Sequence, residues 1–253
     1  MRTSYSLLIG RALHKLVKQP QAPIMGFAMS LFFLIVYNAG IGGIGFLESF
    51  GEVGYLTFVF PITIVSLAMG SSSGAGQALN DDMQSGYFKR LYLSPVPRWS
   101  LVVAPIFADV FSTLLFSSLL LGIGFLFGLS FKFGVVTVLG VLLLSLLWAV
   151  TLCGFSVGLM LRTGKHQNAA IVTNAVFPLL FLSTTFLPRE LITSKWLLAV
   201  SWANPVTYLL EGIRYLLAGM GNANFLIYAV IILFISAAIS LGFALRSASR
   251  IKF

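Results

Sequence analysis

The stretch DDMQSGYFKRLYLSPVPR (residues 81–98) sets the frame for the rest of the chain. It is charged, it closes on Pro-x-Pro-Arg, and it lies between two long runs that carry almost no charge. A run of about 20 apolar residues is what a helix needs to cross the hydrocarbon core of a bilayer. The charged stretch is therefore a connection between two crossings. The side of the membrane on which it sits orients the whole protein.

Composition points the same way. The 253 residues are 58% hydrophobic and only 9% charged, with a mean hydropathy of +0.97. Soluble domains carry about 25% charged residues, so a very apolar soluble protein is the weaker reading. The net charge of +9 comes from Lys and Arg spread over short loops, with no recognition motif, which argues against nucleic acid as a partner. Cys153 is single and lies inside an apolar run, so it offers no intrachain disulfide and no thiolate metal site. It reads as a small core residue. Residues 1–20 lack both the uninterrupted apolar stretch and the small-residue cleavage site of a signal peptide.

Hydropathy predicts an all-α integral membrane protein with six transmembrane helices, near 23–45, 54–79, 101–128, 134–161, 169–187 and 225–246. An even number puts both termini on one side. If that side is cytoplasmic, the inner segments hold Arg2, Arg11, Lys15, Lys18, Lys89, Arg90, Arg98, Arg162, Lys165, Arg246, Arg250 and Lys252. The outer ones hold only Lys132, Arg189, Lys195 and Arg214. The positive-inside rule then places the termini and residues 81–98 in the cytoplasm.

Two segments outside the spans have patterns of their own. Tyr5, Leu8, Ile9, Ala12, Leu13, Leu16 and Val17 recur at helical spacing, while Arg11, His14, Lys15 and Lys18 take other faces and Pro20 ends the run. This predicts an amphipathic helix in residues 1–20, lying in the cytoplasmic interface against anionic headgroups. A bare topology signal without a defined helix is the alternative. His14 reads as solvated or headgroup-facing, not as a metal ligand. The connection 188–224 is long yet apolar, and Pro188, Asn204-Pro205 and Gly219 punctuate it. Neither apolar piece is long enough to cross, so two short re-entrant helices before the sixth span are expected. A single crossing over 196–218 would have to carry Pro205, Glu211 and Arg214 and would put the basic C-terminus outside.

Catalytic chemistry is thin. Two His and seven acidic residues show no paired-carboxylate or His-x-x-x-His spacing. The run from Gly158 to Gly164-Lys165-His166 has five residues between the glycines where a phosphate loop needs four, and His where a magnesium ligand belongs. The chain has no ATPase site of its own, and it is not expected to be an enzyme. Asp109 is the one acidic residue well inside a predicted span, where an ionisable group is by default a functional candidate. It stands without a basic partner or second carboxylate in the span, so a polar contact between helices or subunits is the competing reading. The small residues Ser71 to Gly76, Gly122 and Gly124, and Gly154, Ser156 and Gly158 suit close helix packing.

The charged stretch and the late connection also resemble a known family. The run Gln84-Ser85-Gly86-Tyr87-Phe88-Lys89-Arg90-Leu91, continued through Ser94-Pro95-Val96-Pro97-Arg98, is similar to the signature between spans two and three of type-2 exporter permeases of ATP-binding cassette transporters. Asn204-Pro205-Val206-Thr207-Tyr208 through Glu211 and Arg214 resembles the second signature of that family, and Phe181 to Pro188 the end of its fifth span. The likeness is nearest to the drug- and antibiotic-export branch.

The resemblance implies one transmembrane domain over 1–253, with a cytoplasmic coupling segment at 81–98 and an extracellular re-entrant segment at 188–224. It implies ATPase coupling through Asp82, Gln84, Gly86, Tyr87, Phe88, Arg90, Leu91, Pro95 and Arg98, and a gate region at Pro188, Asn204, Pro205, Glu211 and Arg214. It further implies two separate ATPase subunits that bind ATP and magnesium, so no cofactor in this chain. A second permease copy or paralogue and an amphipathic or lipid-like substrate moved outward across the cytoplasmic membrane complete the expectation. A polysaccharide or glycolipid exporter of the same fold is the near alternative, and a proton-coupled transporter using Asp109 the distant one. Gln84 stands where the family often has Glu, with Asp81 and Asp82 displaced upstream, so which acidic residue meets the ATPase is left open.

Overall fold

Residues 58–69 are apolar on every helical face, apart from Thr63 and Ser66. A helix that is hydrophobic all round is stable only when enclosed, and that enclosure organises the molecule. In the computed structural model, which describes residues 10–15, 17–18, 20–41, 54–93, 97–164, 169–186, 189 and 192–250, all regular structure is helical. The elements are α1 (Gln21–Ile41), α2 (Gly54–Gln84), α3 (Tyr87–Tyr92), α4 (Arg98–Leu126) and α5 (Val135–Thr163). They are followed by α6 (Ala169–Phe181), α7 (Lys195–Ala203), α8 (Pro205–Ala218) and α9 (Asn224–Ser249). Residues 10–15 and 17–18 are helical as well. Helix α2 packs against α1, α4, α5, α6 and α8, and α5 packs most extensively against α9.

Among the described residues, four helices are long and apolar enough to cross a membrane: Leu56–Gln84, Trp99–Leu126, Val135–Thr163 and Asn224–Ser249. The apolar stretches Gln21–Val36 and Ile171–Phe181 are shorter. Each of the six apolar runs in the sequence therefore forms a helix, and four of these, among the described residues, combine the length and the apolar character of a crossing. The exterior is apolar in stripes. Phe107, Phe111, Leu115 and Leu119 line one side of α4 at four-residue spacing, and Ile227, Ile231, Ile235 and Ile239 do the same on α9, all exposed. Water would not tolerate such continuous faces, whereas lipid tails do.

Polar groups turn inward instead. The Ser71 and Thr113 hydroxyls meet at 2.7 Å between α2 and α4, and those of Ser117 and Ser145 at 2.8 Å between α4 and α5. Thr151 meets Ser236 at 3.0 Å between α5 and α9. Such contacts are modest glue between membrane helices, about 0.6–2 kcal/mol each. Closer approach comes from glycine. Gly26 of α1 and Gly70 of α2 face each other so tightly that a Cβ on Gly26 would stand 2.8 Å from the Leu67 carbonyl oxygen, and one on Gly70 would strike the Gly26 backbone. Gly154 of α5 sits likewise against Ser240, whose Cβ would lie 2.9 Å from an added one.

Two boundaries differ from the hydropathy reading. Helix α2 runs on to Gln84, because hydropathy marks where apolar residues stop, while a polar sequence such as Gln77 to Gln84 continues the same helix beyond them. Helix α6 stops at Phe181 rather than continuing to residue 187. There the carbonyls of Thr184 and Thr185 turn out of helical register to meet Arg214 of α8.

The Gly26–Gly70 contact makes a direct prediction. Gly70→Val should lower the thermal midpoint of the detergent-solubilised protein strongly, since the overlap is with backbone and exceeds the usual overpacking cost of about 1–3 kcal/mol. Gly122→Ala, where an added Cβ meets nothing within 4 Å, should leave the midpoint unchanged in the same fluorescence-detected melting assay.

Candidate functional site

Helix α2 ends where Gly86 takes a φ of +70°, a left-handed conformation that side-chain-bearing residues avoid. The Ser85 amide still donates to the Asp81 carbonyl at 2.9 Å, and the Gly86 amide to that of Met83 at 3.2 Å. Past this joint the chain re-enters a helix at once as α3, whose Arg90 amide donates to the Gly86 carbonyl at 3.3 Å. Phe88 is buried at 2% exposure and fixes α3 to the protein, whereas Lys89 and Arg90 on the same short helix are exposed. Gln84 is exposed too, reaching only Asn80 Oδ1 at 3.5 Å. Pro97 opens α4, and its carbonyl accepts from the Ser100 hydroxyl at 2.7 Å. Pro95 lies outside the described residues, as do the side chains of Leu91 and Arg98.

The N-terminal helical segment lies against this joint. Arg11 grips Asp82 with both terminal nitrogens, at 3.2 and 2.9 Å, and its guanidinium stacks 3.5 Å from the centre of the Tyr87 ring. Lys15 lies 3.3 Å from a carboxylate oxygen of each of Asp81 and Asp82 and donates to the Ala78 carbonyl at 2.8 Å. Two basic residues from the first segment thus meet two carboxylates about 70 residues away in sequence. His14 and Lys18 remain exposed. Of the four interface-helix candidates, Arg11 and Lys15 are committed to the protein, while His14 and Lys18 are exposed.

Between this segment, the start of α1, α2, α3 and α4 lies a cleft with about 120 Å³ of room for water-sized molecules. Its lining runs from Arg11, Lys15, Asp81 and Asp82 at the mouth to Asp109 at the inner end. Asp109 Oδ2 accepts from the Ala75 amide at 2.8 Å and from the Cys153 thiol at 3.7 Å. The Asp109 backbone carbonyl accepts from Ser112 and Thr113 hydroxyls at 2.8 and 2.9 Å.

At the other end of the molecule a second cluster forms. Asn204 caps α8 by accepting from the Val206 amide at 3.0 Å, and its own amide donates to the Leu179 carbonyl at 2.6 Å, tying α8 to α6. Pro205 fills the first helical turn, where a missing N–H costs nothing. Arg214, 1% exposed, donates from Nε to the Phe58 carbonyl at 2.9 Å and from Nη2 to the Thr184 and Thr185 carbonyls at 2.8 and 3.2 Å. Nη1 meets Glu211 at 3.0 Å, and the guanidinium lies 3.6 Å from the Phe58 ring centre. Glu211 also accepts from the Thr184 hydroxyl at 2.6 Å. Nearby, Arg189 stacks on Trp202 and Phe225 at 3.9 and 4.7 Å. Pro188 is outside the described residues.

The structure brings Arg11, Lys15, Asp82 and Tyr87 together at one end and Asn204, Glu211 and Arg214 at the other, adds a partner or two to each, and leaves Gln84, His14 and Lys18 outside both groups. Asp81 belongs to the first and Thr184 and Phe58 to the second. The link from Arg11 and Lys15 to Asp81 and Asp82 had one sequence signal, opposite charges on the side of the membrane where both segments fall.

A comparison with protein families fits this arrangement. Residues 3–218 match the ABC-2 type transporter family along most of their length, including both groups. The chain belongs to that family. A relative from Cyanophora paradoxa, ycf38, carries the name of a transport permease and is 29% identical over 214 residues, or 83% of this chain and 72% of that protein. As a member of the ABC-2 type family the chain is a multi-pass membrane transport subunit that is not itself catalytic, and the family implies an ABC ATPase as partner.

The Arg214 cluster sets a stability prediction for this permease. Arg214→Met strands three backbone carbonyls and Glu211, and should cost about 3–5 kcal/mol, the usual result of removing one side of a buried pair. Glu211→Gln keeps a hydrogen-bonding side chain and should cost less. Loss of the monodisperse peak on size exclusion for the first variant but not the second would agree; equal behaviour would not.

Proposed function

We propose that the chain is the membrane subunit of an ATP-driven exporter in which residues 81–98 dock a separate ATPase. The observation that carries this reading is α3, a six-residue helix seated by Phe88 and turned off α2 at Gly86, with Lys89 and Arg90 facing outward. Its exposed residues offer a rigid basic surface, and the ion pairs to Arg11 and Lys15 tie that surface to the N-terminal segment. A push on α3 is therefore shared with the N-terminal segment, α2 and α4. ATP and magnesium belong to the partner, and this chain supplies neither site. Gly86 acts as the joint, Tyr87 as the seat of Arg11, and Asp82 as the link to the N-terminal segment. Gln84, Leu91, Pro95 and Arg98 complete the docking segment.

In this reading the protein crosses the cytoplasmic membrane six times with both termini in the cytoplasm. Helix α1 has 21 residues, about 31 Å at the helical rise, and its last turns, past the apolar stretch Gln21–Val36, complete its crossing. Helix α6 has only 13, about 20 Å. Its crossing is completed by the turn through Phe186, whose backbone groups are met by Arg214 and not by lipid. Helices α7 and α8 dip into the outer leaflet as a re-entrant pair, with Asn204 and Pro205 at the bend and Glu211 and Arg214 as the clamp at the outer gate. Two permeases, either copies or paralogues, flank an outward path for an amphipathic, drug-like or lipid-linked molecule, and each meets one ATPase.

Charge reversal on α3 tests the docking. Lys89→Glu with Arg90→Glu should lower copurification of the co-expressed ATPase by about tenfold or more, as reversal of charges in an interface typically does. Membrane insertion and the size-exclusion profile should stay normal, because both side chains are exposed. Undiminished copurification and transport would remove α3 as the docking element.

A further inference from the structure

The charges lining the cleft do not balance at its inner end. At the mouth, Arg11 and Lys15 are matched by Asp81 and Asp82 within 3.3 Å. Asp109 is 3% exposed and has no basic residue among its partners. Its Oδ2 is satisfied by the Ala75 amide, whereas Oδ1 has no hydrogen-bond partner among the described residues. The space beside that oxygen is kept open by Gly74, where a Cβ would stand 3.0 Å from Oδ1. Oδ1 is thus open to the cleft and not sealed in the core, and a donor that enters the cleft from outside the chain can reach it. The walls say which kind. Pro23, Leu79, Phe88, Leu101 and Ala104 make them largely apolar, and Asp109 is the only carboxylate at the inner end. A hard metal ion wants six or more oxygen ligands, which these walls do not supply.

We propose that the cleft between the N-terminal segment, α1, α2 and α4 binds an organic amine, with the ammonium on Asp109 Oδ1 and the apolar body against the walls. This rests on the exporter reading and adds a substrate class to it: amphipathic cations, entering from the end of the molecule that carries α3. The site lies within one subunit, so a single chain suffices to bind. An N–H on Oδ1 forms a charge-assisted hydrogen bond in a site sheltered from water, where such bonds are strongest.

Dansylcadaverine, a primary amine on an apolar fluorescent body, and its N-acetylated form separate charge from bulk. Fluorescence anisotropy with the purified full chain in detergent should show saturable binding of the amine and about tenfold or more weaker binding of the acetylated form, the equivalent of one charged hydrogen bond. Asp109→Asn should weaken the amine to a similar degree. Ala78→Phe, which fills the cleft without touching its charge, should weaken both probes. Equal binding of the two probes, no saturable binding of the amine, or amine binding unchanged in Asp109→Asn or in Ala78→Phe would each overturn the assignment. If Asp109→Asn fails to elute as a folded species, the comparison of the two probes and the Ala78→Phe variant decide. Copurification with the ATPase reads the exporter function separately: assembly without amine binding overturns the cleft alone, and amine binding without assembly overturns the exporter reading.

Discussion

The guanidinium of Arg214 holds together backbone that cannot otherwise exist inside a membrane protein. Three carbonyls converge on it, one from the first turns of α2 and two from the turn after α6. Each would cost several kcal/mol if left bare in hydrocarbon. With them satisfied, α6 can stop early, the chain can turn, and α8 packs against α2, α5 and α9. Glu211 and the Phe58 ring complete the shell around the cation, so that a charge which would be prohibitive alone becomes the centre of a closed polar knot.

Away from that knot, cohesion is of another kind. Lipid-facing helices gain nothing from hiding leucine from leucine, so contact depends on how closely backbones approach and on the few hydroxyl pairs between them. Gly26 against Gly70 and Gly154 against Ser240 provide the approach, and the Ser71–Thr113 and Ser117–Ser145 pairs provide the polar contacts. The large exposed side chains of α4 and α9 do the complementary work of presenting a surface to lipid.

Much of this was legible in the sequence because lipid imposes long, simple patterns. The apolar runs locate the helices, and the punctuation at Asn204-Pro205 and Gly219 brackets α8 at both ends. The charged connection 81–98 is set apart from the apolar runs on both sides, and α3 lies within it. What hydropathy could not show are decisions made by distant partners. The early end of α6 depends on Arg214, more than thirty positions later. The pairing of Arg11 and Lys15 with Asp81 and Asp82 crosses α1, and nothing local distinguishes those lysine and arginine side chains from ones that meet headgroups. Asp109 was visible as an oddity, but the cleft that reaches it comes from five separate segments, and the missing Cβ at Gly74 gains meaning only in that company.

Helix α2 joins the two groups physically. It spans 31 residues, and Phe58 near one end accepts from Arg214 while Asp82 near the other receives Arg11. At the helical rise these two anchor points stand about 36 Å apart on a single stiff strut. Pro61 interrupts its hydrogen-bond ladder only beside the Arg214 end. One continuous helix therefore carries both the carbonyl that Arg214 holds and the carboxylate that Arg11 holds.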